Sequence, residues 1–355
     1  MEIKNLAIYL SRNCNLSCSY CHYHSTDKSK TIESSKLLRK IKLFLKLKNK
    51  DKKITFLGGE PLMHEELLEK AVKFIRNRDL FIPITVFTNG TLLNKNNIDF
   101  FKTYFVKLIL SVDGDLKDND AFRKFRKSGN SVFKCIYKKM VYIKELNNQN
   151  ISVNMVVSPE NAVNLSKNIA FIYELGFRSI GWNIDLSRNW NRKHIDELKK
   201  QIINLELSYL KLIKEKKELY EFSNVYELID DVAYGRKSEC ENLALFPDGR
   251  FYLCDKVIGV NENKKFEIDS PYGINYKKRD SFFEKMRKKN MDSKGLMCPI
   301  GIYLFYSYVK NIKGNKLKRE FKRSMDFLNM IEDMKKAMIR KFLRYSSFKK
   351  LHNIR

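Results

Sequence analysis

The sequence has no apolar stretch long enough to cross a membrane. Its longest nearly apolar run covers only 300–309, whereas a spanning helix needs about 18–20 residues. Residues 1–20 also lack the pattern of a secretory signal peptide. We therefore expect a soluble, cytoplasmic protein with no membrane partner.

Cysteine is scarce and odd in number, with seven in 355 residues. An odd count in a long chain without a secretory signal argues against a disulfide framework. Three of the seven lie close together in 14–21. That crowding indicates a metal site rather than disulfide bonds.

Acidic residues are few relative to basic ones. The chain has 41 Asp and Glu against 69 Lys and Arg, which gives a formal net charge of +28 at pH 7. Lysine and asparagine run through every segment, so the excess is either background or a sign of an acidic partner such as a nucleic acid. With 43% hydrophobic and 12% aromatic residues, a disordered or collagen-like chain is excluded.

Apolar runs of strand length alternate with helical patterns over 1–215. We predict six strands, at 6–10, 54–57, 84–88, 107–112, 151–157 and 178–184. Six strand–helix units in series predict an α/β fold with a parallel sheet and right-handed crossovers. Six units are too few for a closed eight-stranded barrel, so we predict a partial (β/α)6 TIM-like barrel with its functional loops at the carboxyl ends of the strands. Runs with little alternation predict strands that are buried on both faces.

The pattern changes after a long helical stretch at about 192–219. Short strands surround a turn at 247–249, so we predict a small α+β domain at 225–300. Residues 301–355 are predicted to form a basic helical tail, in which 311–355 carry nine Lys and five Arg against two Asp and two Glu. Apolar residues at helical spacing predict that one face of the tail docks on the rest of the chain. Its basic face is either solvated or a binding surface for an acidic peptide leader or an RNA.

A cysteine-rich loop directly follows the first strand. Residues 14–21 read CNLSCSYC and supply the thiols of Cys14, Cys18 and Cys21. A zinc site normally has four tetrahedral ligands, whereas three closely spaced cysteines suit a cubane iron–sulfur cluster whose fourth iron stays open. The alternative is a zinc knuckle that is completed by His22 or His24.

The spacing CxxxCxxC, with Asn15, Leu16 and Tyr20 in between, resembles the signature of the radical S-adenosylmethionine (radical SAM) enzymes. CNLxCxYC is a form common in their peptide-modifying branch. The resemblance implies a [4Fe-4S] cluster whose open iron binds S-adenosylmethionine and cleaves it reductively to a 5′-deoxyadenosyl radical. That radical abstracts a hydrogen from the substrate, while the protein supplies orientation and a closed site.

Another motif follows the second predicted strand, where this family has a cofactor loop. Gly58, Gly59 and Glu60 precede a proline, and this stretch resembles the GGEP motif. The resemblance implies that its exposed backbone and the Glu60 carboxylate contact the methionine amino group. Glycines suit this position because they let the backbone approach closely.

The loops after the third and fourth predicted strands are similar to loops that line the S-adenosylmethionine pocket in this family. They contribute Asn89, Ser111 and Asp113. The resemblance implies that Ser111 approaches the ribose or the carboxylate. Arg126 is the candidate to neutralise the methionine carboxylate, with Arg123 as its rival.

The sequence FPDGRFYLC at 246–254 resembles the start of the SPASM and twitch domains, which begin an auxiliary iron–sulfur site. The candidate ligands here are Cys240, Cys254 and Cys298. A full SPASM domain has more cysteines, so the count excludes two auxiliary clusters. Three cysteines either hold one cluster, with an open iron or with Asp255 as fourth ligand, or are small buried side chains of a vestigial domain.

The resemblance implies a radical SAM enzyme that abstracts hydrogen from a peptide or protein substrate. Crosslinking, epimerisation and oxidation all begin in this way, and the sequence does not choose among them. An electron donor such as flavodoxin or ferredoxin is implied, and the early first strand predicts a separate leader-binding protein. The alternatives are an RNA-modifying radical SAM enzyme, which the charge favours, small-molecule dehydrogenation or cofactor assembly, and a non-catalytic metal-stabilised nucleic-acid-binding protein.

Overall fold

A curved β-sheet forms the centre of the molecule. The computed structural model describes residues 2–21, 30–143, 150–222, 231–233, 240–257, 263–271, 273–288, 298–304, 306–307 and 310–354. Within these residues the main sheet has the strands β1 (Asn5–Tyr9), β2 (Lys53–Leu57), β3 (Ile84–Thr88), β4 (Val106–Ser111), β5 (Ile151–Val157), β6 (Ser179–Ile184), β7 (Glu221–Phe222), β8 (Asn242–Leu245) and β9 (Phe251–Tyr252). A separate hairpin pairs β10 (Asp269–Ser270) with β11 (Gly273–Ile274).

Helices alternate with the strands along the first part of the chain. They are α1 (Ser34–Leu45), α2 (Glu65–Arg76), α3 (Lys95–Thr103), α4 (Leu116–Phe122), α5 (Val132–Ile143), α6 (Leu165–Glu174) and α7 (Arg192–Lys214). The described C-terminal part adds α8 (Tyr276–Arg287), α9 (Pro299–Leu304), α10 (Gly314–Phe342) and α11 (Ser346–Leu351). The apolar residues of α2 recur at helical spacing, and Leu68, Val72 and Ile75 are buried.

The strand order is β7-β6-β5-β4-β3-β2-β1-β8-β9. Strands β1 to β6 are parallel neighbours, so the six predicted strand–helix units and the partial barrel are confirmed. Two additions lie at the edges. The two-residue β7 pairs in parallel with β6, and β8 pairs in parallel with β1, with Asn5 opposite Asn242.

The strands β3 and β4 are covered on one face only, which differs from the burial on both faces that the sequence predicts, whereas residues 151–153 of β5 and 179–182 of β6 are buried on both faces. Along β4 the side chains alternate between buried and half-buried, as they do along β3. Lys107 stands opposite Thr85, and both are half-buried, whereas Leu108 opposite Val86 is buried. Because paired parallel residues share a face, the half-buried residues form one surface. Among the described residues, the open barrel therefore leaves its concave face partly exposed along β3 and β4.

The hairpin β8–β9 surrounds the predicted turn. Gly249 lies in this turn at φ +80°, a conformation that glycine adopts without strain. Because β8 also pairs with β1, the edge of the barrel sheet comes from the segment predicted as a second domain. The division at 1–215, 225–300 and 301–355 stays a prediction.

The tail contains the long helix α10, whose apolar face is buried. Phe327, Ile331 and Phe342 are buried, and the Phe342 ring stacks 4.6 Å from that of Tyr209 in α7. The predicted docking face is thus present. Lys335, on the same helix, is also buried, and burial lowers its pKa to about 7. No helix in the described ranges combines the length and the apolarity needed to span a membrane.

Candidate active site

The loop after β1 holds three cysteines at the carboxyl edge of the barrel. Cys18 is 8% exposed, whereas Cys14 and Cys21 are half-buried, and the Cys21 amide donates to the Cys18 carbonyl at 3.1 Å. Burial raises the pKa of Cys14 to about 11 and that of Cys18 to about 12, the charge of Cys21 further raises both values, and the charge of Cys14 further raises that of Cys18. The three thiols therefore share one electrostatic environment, in which thiolates need a compensating cation.

One side of the cysteine loop is paired with the segment 122–126, which begins at the last residue of α4. The Ser17 amide donates to the Lys124 carbonyl at 2.7 Å, and the Ser19 amide donates to the Phe122 carbonyl at 2.9 Å. Leu16 and Phe125 form an antiparallel bridge next to the contact between Ser17 and Lys124. The backbone of the loop is thus fixed as an antiparallel ribbon.

The glycine turn after β2 packs on the other side of the loop. The Gly59 amide donates to the Ser11 carbonyl at 3.1 Å, and the Glu60 amide donates to the Asn13 carbonyl at 2.7 Å. A Cβ atom on Gly59 would lie only 1.8 Å from the Asn13 carbonyl oxygen. Gly58 has a φ of +131°, which favours glycine. The glycines therefore permit the contact between the turn and the cysteine loop.

The Glu60 carboxylate is buried and ties the ends of β2 and β3 together. Its Oε1 accepts from the Leu62 amide at 3.1 Å and the Thr88 hydroxyl at 2.8 Å, and its Oε2 accepts from the Asn89 amide at 2.7 Å. Burial raises the pKa of Glu60 to about 7, although these hydrogen bonds lower it. Three of its acceptor positions are thus filled by the protein itself.

Asn89 connects the end of β3 to the cysteine loop. Its Nδ2 donates to Asn15 Oδ1 at 2.9 Å and lies 3.8 Å from Cys14 Sγ, and its Oδ1 accepts from the Thr91 amide and hydroxyl. The Leu16 amide also donates to Cys14 Sγ, at 3.4 Å. Hydrogen bonds of this kind to a cysteine sulfur tune an iron–sulfur cluster.

Asp113 lies behind the cysteine loop, with no exposed surface. It forms a two-pronged ion pair with Arg123, at 2.9 and 3.1 Å, and accepts from the Tyr20 hydroxyl at 2.6 Å and the Val156 amide at 2.9 Å. Burial alone would lower the pKa of Arg123. The Asp113 carboxylate raises it by a larger amount, so the pKa stays above its ordinary value. Both Asp113 and Arg123 are therefore engaged in holding Tyr20, which stands between Cys18 and Cys21.

Ser111 and Arg126 stand at the same edge of the barrel. Ser111 ends β4 opposite Asn154, on the concave face, and Asn183 Nδ2 donates to Asn154 Oδ1 at 2.9 Å. Arg126 is exposed, and its Nε donates to the Leu16 carbonyl at 3.0 Å. The predicted cofactor-binding residues thus gather around one loop, but Asp113 faces the protein interior rather than the concave face.

A second group of cysteines lies in the C-terminal part. Cys240 precedes β8, Cys254 follows β9, and Cys298 precedes α9. Burial raises the pKa of Cys240 to about 11, and both Cys254 and Cys240 are further affected by the charge of Cys298. The buried Arg279 donates to the Cys240 carbonyl at 3.0 Å. The structure therefore brings the three predicted auxiliary ligands together beside a cation.

Tyr9 lies between the two cysteine groups. It ends β1, is fully buried, and its hydroxyl donates to Asp255 Oδ2 at 3.4 Å. Asp255 directly follows Cys254, whose thiol lies 3.8 Å from Asp255 Oδ1. A Cβ atom on Gly58 would lie 3.5 Å from the Tyr9 ring. The Tyr9 side chain thus joins the end of β1, from which the first cysteine loop begins, to the segment of the second site, a link that the sequence does not predict.

The donor set of the first site fits an iron–sulfur cluster. Three thiols lie on one loop with amide donors to sulfur, and a cluster would supply the positive charge that buried thiolates need. Among the described residues, no three His, Cys, Asp or Glu side chains surround one point closely enough to hold a single metal ion. In a cubane each cysteine binds its own iron, which is a wider arrangement. His22 and His24, the ligands of the zinc alternative, lie outside the described residues.

The barrel and its loop of three cysteines define the class of protein. Residues 8–172 match the family model described as Radical SAM superfamily. The matched residues carry a radical SAM domain, whose homologues are enzymes. The radical SAM family uses a [4Fe-4S] cluster and S-adenosylmethionine, and the three thiols of the first site fit that cluster.

Three curated relatives are similar in sequence. The uncharacterized protein MJ0907 of Methanocaldococcus jannaschii is 28% identical over 76% of this chain and 92% of its own length. The radical SAM cyclopropyl synthase TigE of Paramaledivibacter caminithermalis is 26% identical over 58% of this chain. The cysteine-type anaerobic sulfatase-maturating enzyme of Clostridium novyi is 26% identical over 47% of this chain. The chain spans 46% and 47% of the lengths of the last two enzymes.

Two solved structures share the fold. Native anSMEcpe with bound AdoMet and Cp18Cys peptide has a TM-score of 0.66 and 21% identity, over 78% of this chain and 81% of its own. SuiB of Streptococcus suis bound to precursor peptide SuiA has a TM-score of 0.53 and 15% identity, over 73% of this chain and 61% of its own. At these identities the likeness shows a common fold.

Proposed function

We propose that this chain is a radical SAM enzyme that modifies a peptide or protein. The observation that carries the proposal is the partly exposed concave face along β3 and β4, whose half-buried side chains lead up to the cysteine loop. A surface of this kind can receive an extended chain beside the site where the radical is made. The peptide-bound states of anSMEcpe and SuiB support this assignment.

The residues of the first site have separate tasks in this proposal. Cys14, Cys18 and Cys21 hold the cluster, which together with S-adenosylmethionine supplies the radical chemistry. The backbone of the glycine turn lies beside the cofactor, and Glu60 holds that turn against the end of β3. Asn89 orients the loop through Asn15 and Cys14.

Three polar residues on the concave face are the proposed contacts for the adenosyl group or the substrate. They are Ser111 at the end of β4, Asn154 opposite it in β5, and Asn183 near the end of β6. Arg126 is the proposed partner of the methionine carboxylate, because Arg123 is already paired with Asp113. Asp113 has a positioning task, since it holds Tyr20 rather than the cofactor.

Cys240, Cys254 and Cys298 are proposed to hold one auxiliary cluster, with Asp255 beside them as a candidate fourth ligand. A flavodoxin or ferredoxin in the cytoplasm is proposed to supply the electron. A separate protein is proposed to bind the leader of the substrate.

The test uses anaerobically reconstituted enzyme with dithionite and S-adenosylmethionine. We expect 5′-deoxyadenosine to form, and a peptide encoded beside the gene to change mass only when both enzyme and S-adenosylmethionine are present. The Cys18→Ala variant is the matched control and should produce neither. Mass spectrometry of the peptide measures the result.

An RNA substrate would contradict the proposal. If the enzyme forms 5′-deoxyadenosine, leaves every neighbouring peptide unchanged and modifies RNA, the function moves to RNA modification. Tight zinc binding without iron would remove the radical chemistry altogether.

A further inference from the structure

An open groove of about 640 Å³ lies on the outer surface of the barrel between α4, α5 and α6. We term it the α4–α6 groove. Its apolar floor consists of Leu116, Phe133, Tyr137 and Phe171. The Phe133 ring is stacked with the Tyr137 ring, with 5.9 Å between centroids, and lies 5.8 Å from the Phe171 ring. The aromatic rings support one another, so the floor keeps its shape without a ligand.

Two side chains of this floor are unusually open to solvent. Leu116 is 42% exposed and Tyr137 is 53% exposed. Apolar groups that are exposed side by side and surrounded by polar residues mark binding surfaces. A tyrosine in such a position offers a large contact area at a low entropic cost.

The rim of the α4–α6 groove is basic. Lys117, Lys134 and Lys138 line it and are exposed, and no carboxylate in the described ranges forms an ion pair with these three lysines. Asp115, at one end, is already bound to Lys167 at 2.9 Å and caps α4 by accepting from the Asp118 amide. The groove therefore presents a net positive charge around an apolar floor.

One end of the groove, at Asp115, lies near the edge of the barrel that carries the cysteine loop. The helix α4 begins shortly after β4 ends, and its cap Asp115 follows Asp113, whose carboxylate accepts from Tyr20 of the loop. A chain lying in the groove therefore reaches the catalytic edge within a few extended residues.

We infer that the α4–α6 groove binds an acidic segment of the peptide substrate. An aromatic or aliphatic side chain of that segment packs on Leu116 and Tyr137, and its carboxylates pair with Lys117, Lys134 and Lys138. This inference rests on the proposed function, because it needs a substrate long enough to reach from the concave face to the outer surface.

The test measures the binding of a probe to reconstituted holoenzyme by fluorescence anisotropy. The probe is a short fluorescein-labelled peptide of glutamate, leucine and phenylalanine. We expect the double variant Lys134→Glu/Lys138→Glu to bind it about tenfold more weakly at low salt, and added salt to reduce the difference. Tyr137→Ala should also weaken binding, and Tyr137→Phe should restore it.

The double variant Lys70→Glu/Lys102→Glu is the charge-matched control, since both lysines are exposed on α2 and α3 and neither lines the groove. Equal weakening by this control would show that the probe senses only net charge and would overturn the inference. Binding of a single-stranded RNA of the same length, but not of the peptide, would overturn it as well.

Turnover separates the inference from the proposed function. If the groove variants keep uncoupled 5′-deoxyadenosine formation and raise the KM for the identified peptide, the inference is supported. If the peptide is modified with an unchanged KM, the groove is not its binding site while the proposed function stands. If no peptide is modified but the probe binds through the groove, the proposed function fails and the groove remains an acidic-peptide site.

Discussion

The two cysteine sites of this chain are built in different ways. The first has all three cysteines on one loop, which is held by the glycine turn on one side and by 122–126 on the other. The second takes one cysteine from each of three separate segments, which precede β8, follow β9 and precede α9. A buried arginine, Arg279, donates to the first of these segments at the Cys240 carbonyl.

This difference predicts different responses to perturbation. Backbone hydrogen bonds fix the first site locally, so its geometry depends on a few named contacts within the barrel. The second site depends on the packing of elements that are far apart in sequence. Changes at the edges of the cysteine loop should therefore affect the first site and leave the second one filled.

Removal of the three loop cysteines should have the largest effect. Cys14→Ala, Cys18→Ala and Cys21→Ala should each abolish 5′-deoxyadenosine formation, because no fourth cysteine lies on the loop to replace a lost ligand. The triple variant should keep about four irons per chain of the about eight in the wild type, if both sites hold cubane clusters. Iron analysis measures this, and a triple variant without any iron would show that the second site is vestigial.

Loss of the Asp113 charge should have the next largest effect. Asp113→Asn leaves the buried Arg123 without its partner, and breaking such a pair costs about 3–5 kcal/mol. Tyr20→Phe is the milder comparison, because it removes only the 2.6 Å hydrogen bond to Asp113 and should cost about 1–2 kcal/mol. Urea unfolding of the apoprotein gives both values. Equal stability of Asp113→Asn and wild type would contradict the positioning task.

A methyl group on Gly59 should disturb the loop from the other side. Gly59→Ala places a Cβ atom 1.8 Å from the Asn13 carbonyl oxygen, so the loop must shift, at a cost of at least about 1–3 kcal/mol. We expect the first site to lose iron and the second to keep it. Gly129→Ala is the control, because no atom lies within 4 Å of the added group. If both variants keep the same iron content, the turn does not position the loop.

The most gradual expected effect is a pH dependence that belongs to the first site and leaves the cluster ligands in place. Burial raises the pKa of Glu60 from 4.5 to about 7, so between these values the folded state keeps a proton that the unfolded state loses. The Glu60 contribution to stability is full below pH 4.5 and falls as the pH rises to about 7, by up to about 3 kcal/mol. Glu60→Gln removes this contribution, so the stability of wild type minus that of the variant should fall across this window. Urea unfolding of the apoproteins at several pH values tests the slope, and a difference that stays constant would assign the proton elsewhere.

The barrel could be predicted because its signals are local. The runs that form β3 and β5 match the predicted 84–88 and 151–157. The strand β7 was not predicted, because two residues are too few to show the alternation of apolar and polar side chains that marks a strand. The pairing of β8 with β1 also escaped, since Asn5 and Asn242 are 237 positions apart and nothing local marks the partner.

The sequence indicated which residues gather at the candidate site, but not how their side chains are oriented there. The spacing of the cysteines and the position of the glycine turn each follow from one short segment. The direction of a loop side chain depends on distant partners, and so Asp113 turned out to contact Tyr20 and Arg123 rather than the concave face. The link from Tyr9 to Asp255 has the same origin.

The pairing of the cysteine loop with 122–126 has a consequence for synthesis of the chain. The partner of Ser17 is Lys124, 107 positions later. The three thiols therefore leave the ribosome before residues 122–126 are made. During that time the cysteine loop lacks the backbone pairing that fixes it. Iron delivered before 122–126 emerges would meet a mobile loop in which other metals can compete. Iron is therefore expected to bind correctly at the three thiols only after the fourth strand and its helix have left the ribosome.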